Sequence, residues 1–122
     1  MVTVKTGKLN KTISFLRNLL LVVLLAECIA AAQSAVRLSD GKYPWMNFHL
    51  GYCYFATADF SRAASAFRLA AEGDKNDAVS AFNLGLSLSR QGFGADANHW
   101  FHEALARKPG DELRAKILSA LR

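Results

Sequence analysis

The sequence predicts an all-helical protein in which an N-terminal apolar helix precedes a small domain of paired helices. Three observations support this fold class. A long apolar segment follows a positively charged N-terminus. From position 44 onward, residue types recur with a period of about 34 positions, the length of a two-helix unit. Proline, aspartate and glycine stand where helices of that length begin and end.

The composition is that of a folded protein without affinity for nucleic acid. The chain has 122 residues, enough for one core, and it is 52% hydrophobic and 20% charged, which excludes a disordered chain. The net charge of +5 comes mostly from the first 17 residues. From residue 37 onward, 11 basic and 9 acidic residues nearly balance, with no basic run to follow a phosphate backbone. We therefore expect no nucleic-acid partner.

Residues 1–35 have the layout of a signal peptide or a single-pass signal anchor. Residues 1–17 hold four basic side chains and no acidic one, and the apolar run 19–26 follows. The basic residues are Lys5, Lys8, Lys11 and Arg17. Small residues come next, so a signal peptidase would cleave after Ala32, or as a second choice after Ala35.

Retention of this segment as a membrane anchor is the alternative. Residues 13–36 form one apolar stretch, long enough to span about 30 Å of hydrocarbon. Glu27 opposes this, because a carboxylate at the bilayer centre costs about 2.5–3.5 kcal/mol unless it is paired; in a retained anchor it would be a membrane or partner contact. In both cases the basic N-terminus stays cytoplasmic and residues 37–122 are exported. We expect a bacterial inner-membrane protein with a periplasmic domain, or a soluble periplasmic protein; a eukaryotic secretory or organellar membrane is the alternative location.

The period of the remaining chain is carried by six pairs of residues. They are Leu50 and Leu84, Gly51 and Gly85, Tyr54 and Leu88, Ala63 and Ala97, Phe67 and Phe101, and Ala70 and Ala104. This pattern resembles the tetratricopeptide repeat, a helix-turn-helix unit of that period, over residues 44–77 and 78–111. The second copy has Gly92 at the turn between its helices, whereas the first has Ala58 there and Lys75 in place of the closing proline.

Four helices are predicted in the two copies, over residues 44–57, 60–72, 78–91 and 95–107. Pro44 suits a first helical turn, Asp77 suits an N-cap, and Pro109 with Gly110 ends the fourth helix. Residues 36–43 are expected to be a linker, so the domain covers residues 44–122.

Close helix packing is expected at the glycines of the pattern. Gly51 and Gly85 have no side chain where the paired helix crosses, and the facing alanines keep that helix thin. Phe67 and Phe101 are predicted to fill the seam between the two copies. A fifth helix over residues 111–121 has a single apolar stripe, typical of a terminal capping helix.

The resemblance also implies a binding face, because in that family the first helices of successive repeats line a concave surface that holds peptides or helices. The corresponding positions here are Trp45, Phe48, Tyr52, Phe55, Val79, Phe82, Leu86 and Arg90. Of these, Trp45, Tyr52 and Arg90 are the expected anchors for a partner, since aromatic residues and arginine dominate interface energetics. Alternatively, this surface packs against the linker or the N-terminal helix. Capture of an acidic peptide tail is disfavoured, because only Arg90 among these positions is basic.

No catalytic site, metal site, cofactor or small-molecule substrate is expected. His99 and His102 lie three residues apart, but two ligands are too few for a metal ion. Cys28 and Cys53 cannot form a disulfide framework and lack metal-ligand spacing, and Cys53 is predicted to be a small buried apolar residue. Lipidation of Cys28 is disfavoured because Glu27, and not a small residue, precedes it.

The sequence therefore predicts a non-catalytic protein–protein interaction module. The favoured form is a small accessory or assembly subunit that docks by its apolar aromatic face onto a larger membrane or envelope complex. The alternative is a homo-oligomeric structural protein of the periplasm or envelope, in which the aromatic faces of two copies meet.

Overall fold

Six helices follow one another along the part of the chain that the computed structural model describes, residues 2–121. They are α1 (Val2–Leu38), α2 (Pro44–Ala56), α3 (Phe60–Gly73), α4 (Ala78–Arg90), α5 (Gly94–Ala106) and α6 (Asp111–Ala120). Side chains are described from residue 7 onward. The side chain of Lys5, which belongs to the predicted basic region, therefore lies outside the described residues. The predicted all-helical fold class with its N-terminal apolar helix is confirmed.

The first helix, α1, is one continuous helix of 37 residues. Its segment Gly7–Leu38 is long and apolar enough to cross a membrane, which is compatible with a signal peptide or a membrane anchor. The helix continues through residues 36–38, so the predicted linker 36–43 is shortened to the five residues 39–43. The second half of α1 therefore belongs to the helical assembly and packs along α2.

The helices α2 to α5 pack in chain order, and α6 covers α4 and α5 at the C-terminal end. Their shared core contains Phe67, Leu84, Phe101 and Ile117, together with a row of buried alanines. Alanine at so many buried positions keeps neighbouring helices close, and the few large side chains fill the space between them. The core thus runs through the whole series of helices without a break.

Two aromatic rings pack directly on glycines. Phe67 of α3 lies against Gly51 of α2, and Phe101 of α5 lies against Gly85 of α4. The rings were predicted to fill the seam between the two copies of the pattern. Each ring packs on the glycine of its own helix pair, because the missing side chain leaves room for a ring there, and Phe67 also lines a cavity together with Asn83 of the second copy.

Aspartate side chains begin α3 and α4, as their positions in the sequence predict. The backbone N–H of Arg62 donates to Asp59 Oδ1 at 3.2 Å, and that of Ser80 donates to Asp77 Oδ1 at 2.9 Å. Each bond satisfies a helical N–H that has no partner within the helix. The helix boundaries are therefore fixed by local chemistry.

The connections α2–α3 and α4–α5 both contain a residue with left-handed backbone, Ala58 with φ of 61° and Gly92 with φ of 87°. This conformation costs a residue with a Cβ about 1–2 kcal/mol, whereas glycine adopts it freely.

We expect Ala58→Gly to raise the free energy of unfolding by about 0.5–1 kcal/mol, net of the greater chain entropy of glycine. The matched change Gly92→Ala is expected to lower it by about 1 kcal/mol. Urea unfolding of both variants, followed by circular dichroism, checks this pair; shifts of the same sign would contradict it.

Candidate interaction surface

The eight positions predicted for partner binding separate into an exposed set and a covered set. Trp45, Tyr52 and Val79 expose 57%, 62% and 44% of their surface, and Arg90 is also exposed. The half-buried positions are Phe48, Phe55 and Leu86, and Phe82 is buried. The two exposed aromatic side chains at the predicted positions, Trp45 and Tyr52, are therefore both on α2.

The covered phenylalanines contribute to the core. The ring centroid of Phe48 lies 5.9 Å from that of Phe67, and the Phe82 centroid lies 5.7 Å from that of Phe101. Phe55 packs edge-on against Phe60 at 5.0 Å. Such pairs add about 0.5–1.5 kcal/mol beyond the area that they bury. These three side chains hold neighbouring helices together and present only part of their surface to a partner.

Arg90 makes contacts within the chain. Its guanidinium lies 6.0 Å from the ring centroid of Phe55 and 5.6 Å from that of Phe60, within the range of a cation–π interaction. The neighbouring Gln91 donates from Nε2 to the carbonyl of Phe60 at 3.2 Å. Arg90 therefore stabilises the junction of α2, α3 and α4, which reduces its availability as an anchor for a partner.

An apolar groove lies between α1 and α2. It has a volume of about 340 Å³. One wall consists of small residues of α1 and the other of mostly aromatic residues of α2: Cys28, Ala31, Ala32 and Ala35 face Trp45, Met46, His49, Tyr52 and Cys53. Trp45 and His49 meet edge to face at 5.8 Å, which continues the aromatic wall along the helix. The two most exposed aromatic residues of the predicted face thus border a groove that the pattern of α2 alone does not reveal.

A disulfide bond joins Cys28 and Cys53, which both line this groove, with the two Cα atoms 5.9 Å apart. From the sequence, no disulfide framework was expected and Cys53 was assigned only a packing role; Cys53 is buried as predicted, and it is also bonded to Cys28. Nearby, Gln33 Nε2 donates to Tyr54 Oη at 2.5 Å. The helix α1 is therefore joined to α2 by a covalent bond and by a hydrogen bond. The one signal in the sequence was the presence of two cysteines in a chain whose N-terminus has the layout of an export signal, one at the end of the apolar segment and one in α2.

Glu27 lies immediately before this disulfide and its side chain is exposed on α1. His99 and His102 are exposed on α5, where His99 packs edge-on against Trp100 at 5.7 Å. Among the described residues no group of three His, Cys, Asp or Glu side chains could hold a metal ion.

No family model matches the chain, and no curated protein matches it in sequence. Its function is therefore inferred from its own residues and their geometry.

Proposed function

We propose that the protein is a non-catalytic interaction module, an accessory or assembly subunit that docks onto a larger membrane or envelope complex. The observation that carries this proposal is the pair Trp45 and Tyr52, both more than half exposed, along the groove between α2 and the membrane-compatible helix α1. Large exposed aromatic residues that surround an apolar depression are typical of protein interfaces.

The partner that fits this groove is an apolar helix of a membrane subunit. The α1 wall consists of alanines and a disulfide, so a second helix could approach the α1 backbone closely. The aromatic wall would then cover the other side of the incoming helix. An acidic peptide does not fit, because the groove contains no lysine or arginine and Arg90 packs on two phenylalanines.

We further propose that α1 is retained as an inner-membrane anchor and that the helical domain lies in the periplasm. The basic N-terminus supports this orientation. The Cys28–Cys53 disulfide supports an exported domain, since such bonds persist in oxidising compartments. Cleavage after Ala32 would remove one of the bonded cysteines from the continuous chain, so the disulfide favours the anchor over the signal peptide.

We also propose that residues 44–111 are two diverged tetratricopeptide repeats. Support comes from contacts that recur 34 residues apart, Gly51 with Phe67 and Gly85 with Phe101. The left-handed residues Ala58 and Gly92 recur with the same spacing. This assignment agrees with a binding role, because repeats of this type act by presenting surfaces to other proteins.

The double variant Trp45→Ala/Tyr52→Ala tests the docking surface. We expect it to lose at least about tenfold in recovery of the partner, because the two side chains are the exposed aromatic anchors and each such anchor contributes about 2 kcal/mol or more. The measurement is quantitative co-purification of the tagged full chain from native membranes under mild detergent, with circular dichroism to show that helicity is unchanged.

Leu69→Ala is the matched control, because Leu69 is a large apolar residue that is 57% exposed on α3, outside this groove. It should leave the recovery of the partner unchanged. Unchanged co-purification of the double variant would overturn the proposed surface. If mass and size measurements show that the wild-type chain is recovered only as a dimer of itself, the proposal of an accessory subunit is wrong. The homo-oligomeric structural protein is then the supported function.

A further inference from the structure

We infer that a second groove, on the α3 side of α2, is a binding site for a small elongated carboxylate that carries an uncharged hydrogen-bonding group at its far end. We call it the α3 groove; its volume is about 250 Å³. Its walls include Val36 of α1, Leu50 of α2 and Leu69 of α3. None of the eight positions predicted for partner binding lines it, so the inference is independent of the docking surface and of the anchor. Such a ligand was not expected from the sequence, because the groove forms only where three helices meet.

The polar residue at one end of the α3 groove is Asn47, which is only 5% exposed. Its side-chain amide has no hydrogen-bond partner among the described residues. Every fully enclosed side-chain nitrogen or oxygen of a covered residue in that part of the chain does have a partner, so the amide of Asn47 is reached from the groove. Burial without a partner is costly for an amide. Asn47 therefore favours a ligand group that forms hydrogen bonds with it.

The positive charge lies at the other end of the groove, beside Tyr54. The Arg62 guanidinium is 5.9 Å from the ring centroid of Tyr54. Arg62 Nε also lies 3.7 Å from Asp59 Oδ2, which leaves the two Nη groups for a second carboxylate. Tyr54 Oη accepts a hydrogen bond from Gln33 Nε2 at 2.5 Å, so its own proton can be donated to a ligand. This end therefore offers hydrogen-bond donors and one positive charge.

The spacing along α2 sets the length of the ligand. Asn47 and Tyr54 are seven residues apart, which corresponds to about 10 Å at 1.5 Å per residue. Leu50 lies between them, and Val36 and Leu69 make the neighbouring walls apolar. A ligand that reaches both ends is therefore about 10 Å long and has an apolar body. A chain of about eight carbon atoms has this length, at about 1.25 Å of extension per carbon–carbon bond.

The charges of the α3 groove select a carboxylate and its direction. Among the residues that line the groove, Arg62 is the one charged side chain, and none is acidic. Ser65, a further polar residue of the wall, donates to the carbonyl of Ser61 at 3.3 Å. A carboxylate at the exposed Arg62 keeps its contact with water, whereas a charge placed against the buried Asn47 would lose its hydration. The far end of the ligand is therefore an uncharged group such as a hydroxyl.

Isothermal titration calorimetry of the full chain in mild detergent, with 8-hydroxyoctanoate as the probe, tests the inference. The wild type should bind this acid saturably, after the partition of the probe into detergent is measured without protein and subtracted. Octanoate should bind about tenfold more weakly, because its methyl end leaves the Asn47 amide unpaired. The methyl ester of 8-hydroxyoctanoate should bind about fivefold more weakly, because it lacks the charge that pairs with the exposed Arg62.

Two variants separate the polar contacts from the rest of the groove. Asn47→Leu should remove the preference for 8-hydroxyoctanoate over octanoate, and Arg62→Gln should remove the preference for the acid over its ester. Asn83→Leu and Arg68→Gln are the matched controls and should keep both preferences. Asn83 is half-buried on α4, Arg68 is exposed on α3, and neither lines the groove. Circular dichroism shows that each variant is folded, and Asn47→Ala replaces Asn47→Leu if leucine overpacks the site.

A wild-type chain that does not bind 8-hydroxyoctanoate saturably overturns the inference, and water then satisfies the Asn47 amide. Equal affinity for the three probes, or preferences that persist in Asn47→Leu and Arg62→Gln, overturns it as well. Tighter binding of an N-acetylated apolar tripeptide with a free carboxylate would replace the small acid by the end of a peptide chain. Partner co-purification should be unchanged in Arg62→Gln; its loss would assign the α3 groove to the protein partner and overturn the small-acid site.

Discussion

Gly85→Ala is expected to lower the free energy of unfolding by about 2–3 kcal/mol, a large share of the stability of so small a domain. A Cβ at this position would lie 2.5 Å from Phe101 Cε1 and 3.2 Å from the backbone oxygen of Ala97. The ring cannot move aside easily, because Phe101 is only 2% exposed and packs on Phe82. The gain of about 1 kcal/mol in helix propensity from glycine to alanine is smaller than this overpacking cost. Urea unfolding of the full chain in mild detergent, followed by circular dichroism, measures the effect.

Gly94→Ala is the matched control. Gly94 begins α5, and a Cβ there would have no atom within 4 Å, so alanine should be neutral or slightly stabilising. The double variant Gly85→Ala/Phe101→Leu should recover part of the lost stability, because the smaller side chain relieves the clash at the cost of some packing. Two results would contradict the close packing of α4 against α5. One is a Gly85→Ala protein that is as stable as the wild type, and the other is a Gly94→Ala protein that loses as much stability as the Gly85→Ala protein.

The local part of the fold could be predicted from the sequence because its determinants are local. Pro44 begins α2 and Asp77 caps α4, and each acts on the first turn of the helix in which it stands. Helical periodicity also identified Gly85 as a place of close approach. It could not locate the ring that lies there, since Phe101 was assigned to a seam and belongs to the helix pair.

The candidate site was predictable only in part, because it is built by contacts between distant segments. The pattern of α2 correctly marked Trp45 and Tyr52 as exposed aromatic residues. It could not show that α1 forms the other wall of the groove, since helical periodicity encodes which faces are apolar and not which segment covers them. The Cys28–Cys53 bond, which joins that wall to α2, was missed for the same reason. Arg90 was expected to be an anchor for a partner, and its contacts within the chain were missed because its aromatic neighbours come partly from α3.

Arg107 is the second residue whose removal should have a large effect, and it too acts between distant segments. Its side chain is 4% exposed, and Nη1 lies 2.9 Å from the carbonyl oxygen of Ala71 and 3.0 Å from those of Asp74 and Asp77. Its Nε also lies 3.3 Å from Glu103 Oε1. One guanidinium thus satisfies carbonyls at the end of α3 and in the α3–α4 connection, and ties them to the end of α5. The periodic pattern contains no trace of this role.

We expect Arg107→Met to lower the free energy of unfolding by about 2–4 kcal/mol. Methionine keeps an apolar stem of similar length but leaves these carbonyls without their charged donor, and hydrogen bonds to charged groups are worth about 1.5–3 kcal/mol each, with incomplete additivity. Arg107→Lys should recover only part of the loss, because an ammonium is more strongly hydrated and lacks the planar fork of the guanidinium. Urea unfolding of the full chain measures all three proteins.

Arg114→Met is the control for the loss of one positive charge, since Arg114 is exposed on α6 and should change the unfolding free energy by no more than about 0.5 kcal/mol. Equal effects at the two arginines would mean that net charge, and not the bridge to the α3–α4 connection, determines stability. A selective loss at Arg107 would show that α3 and α5 are held together by a polar link as well as by their packing on α4.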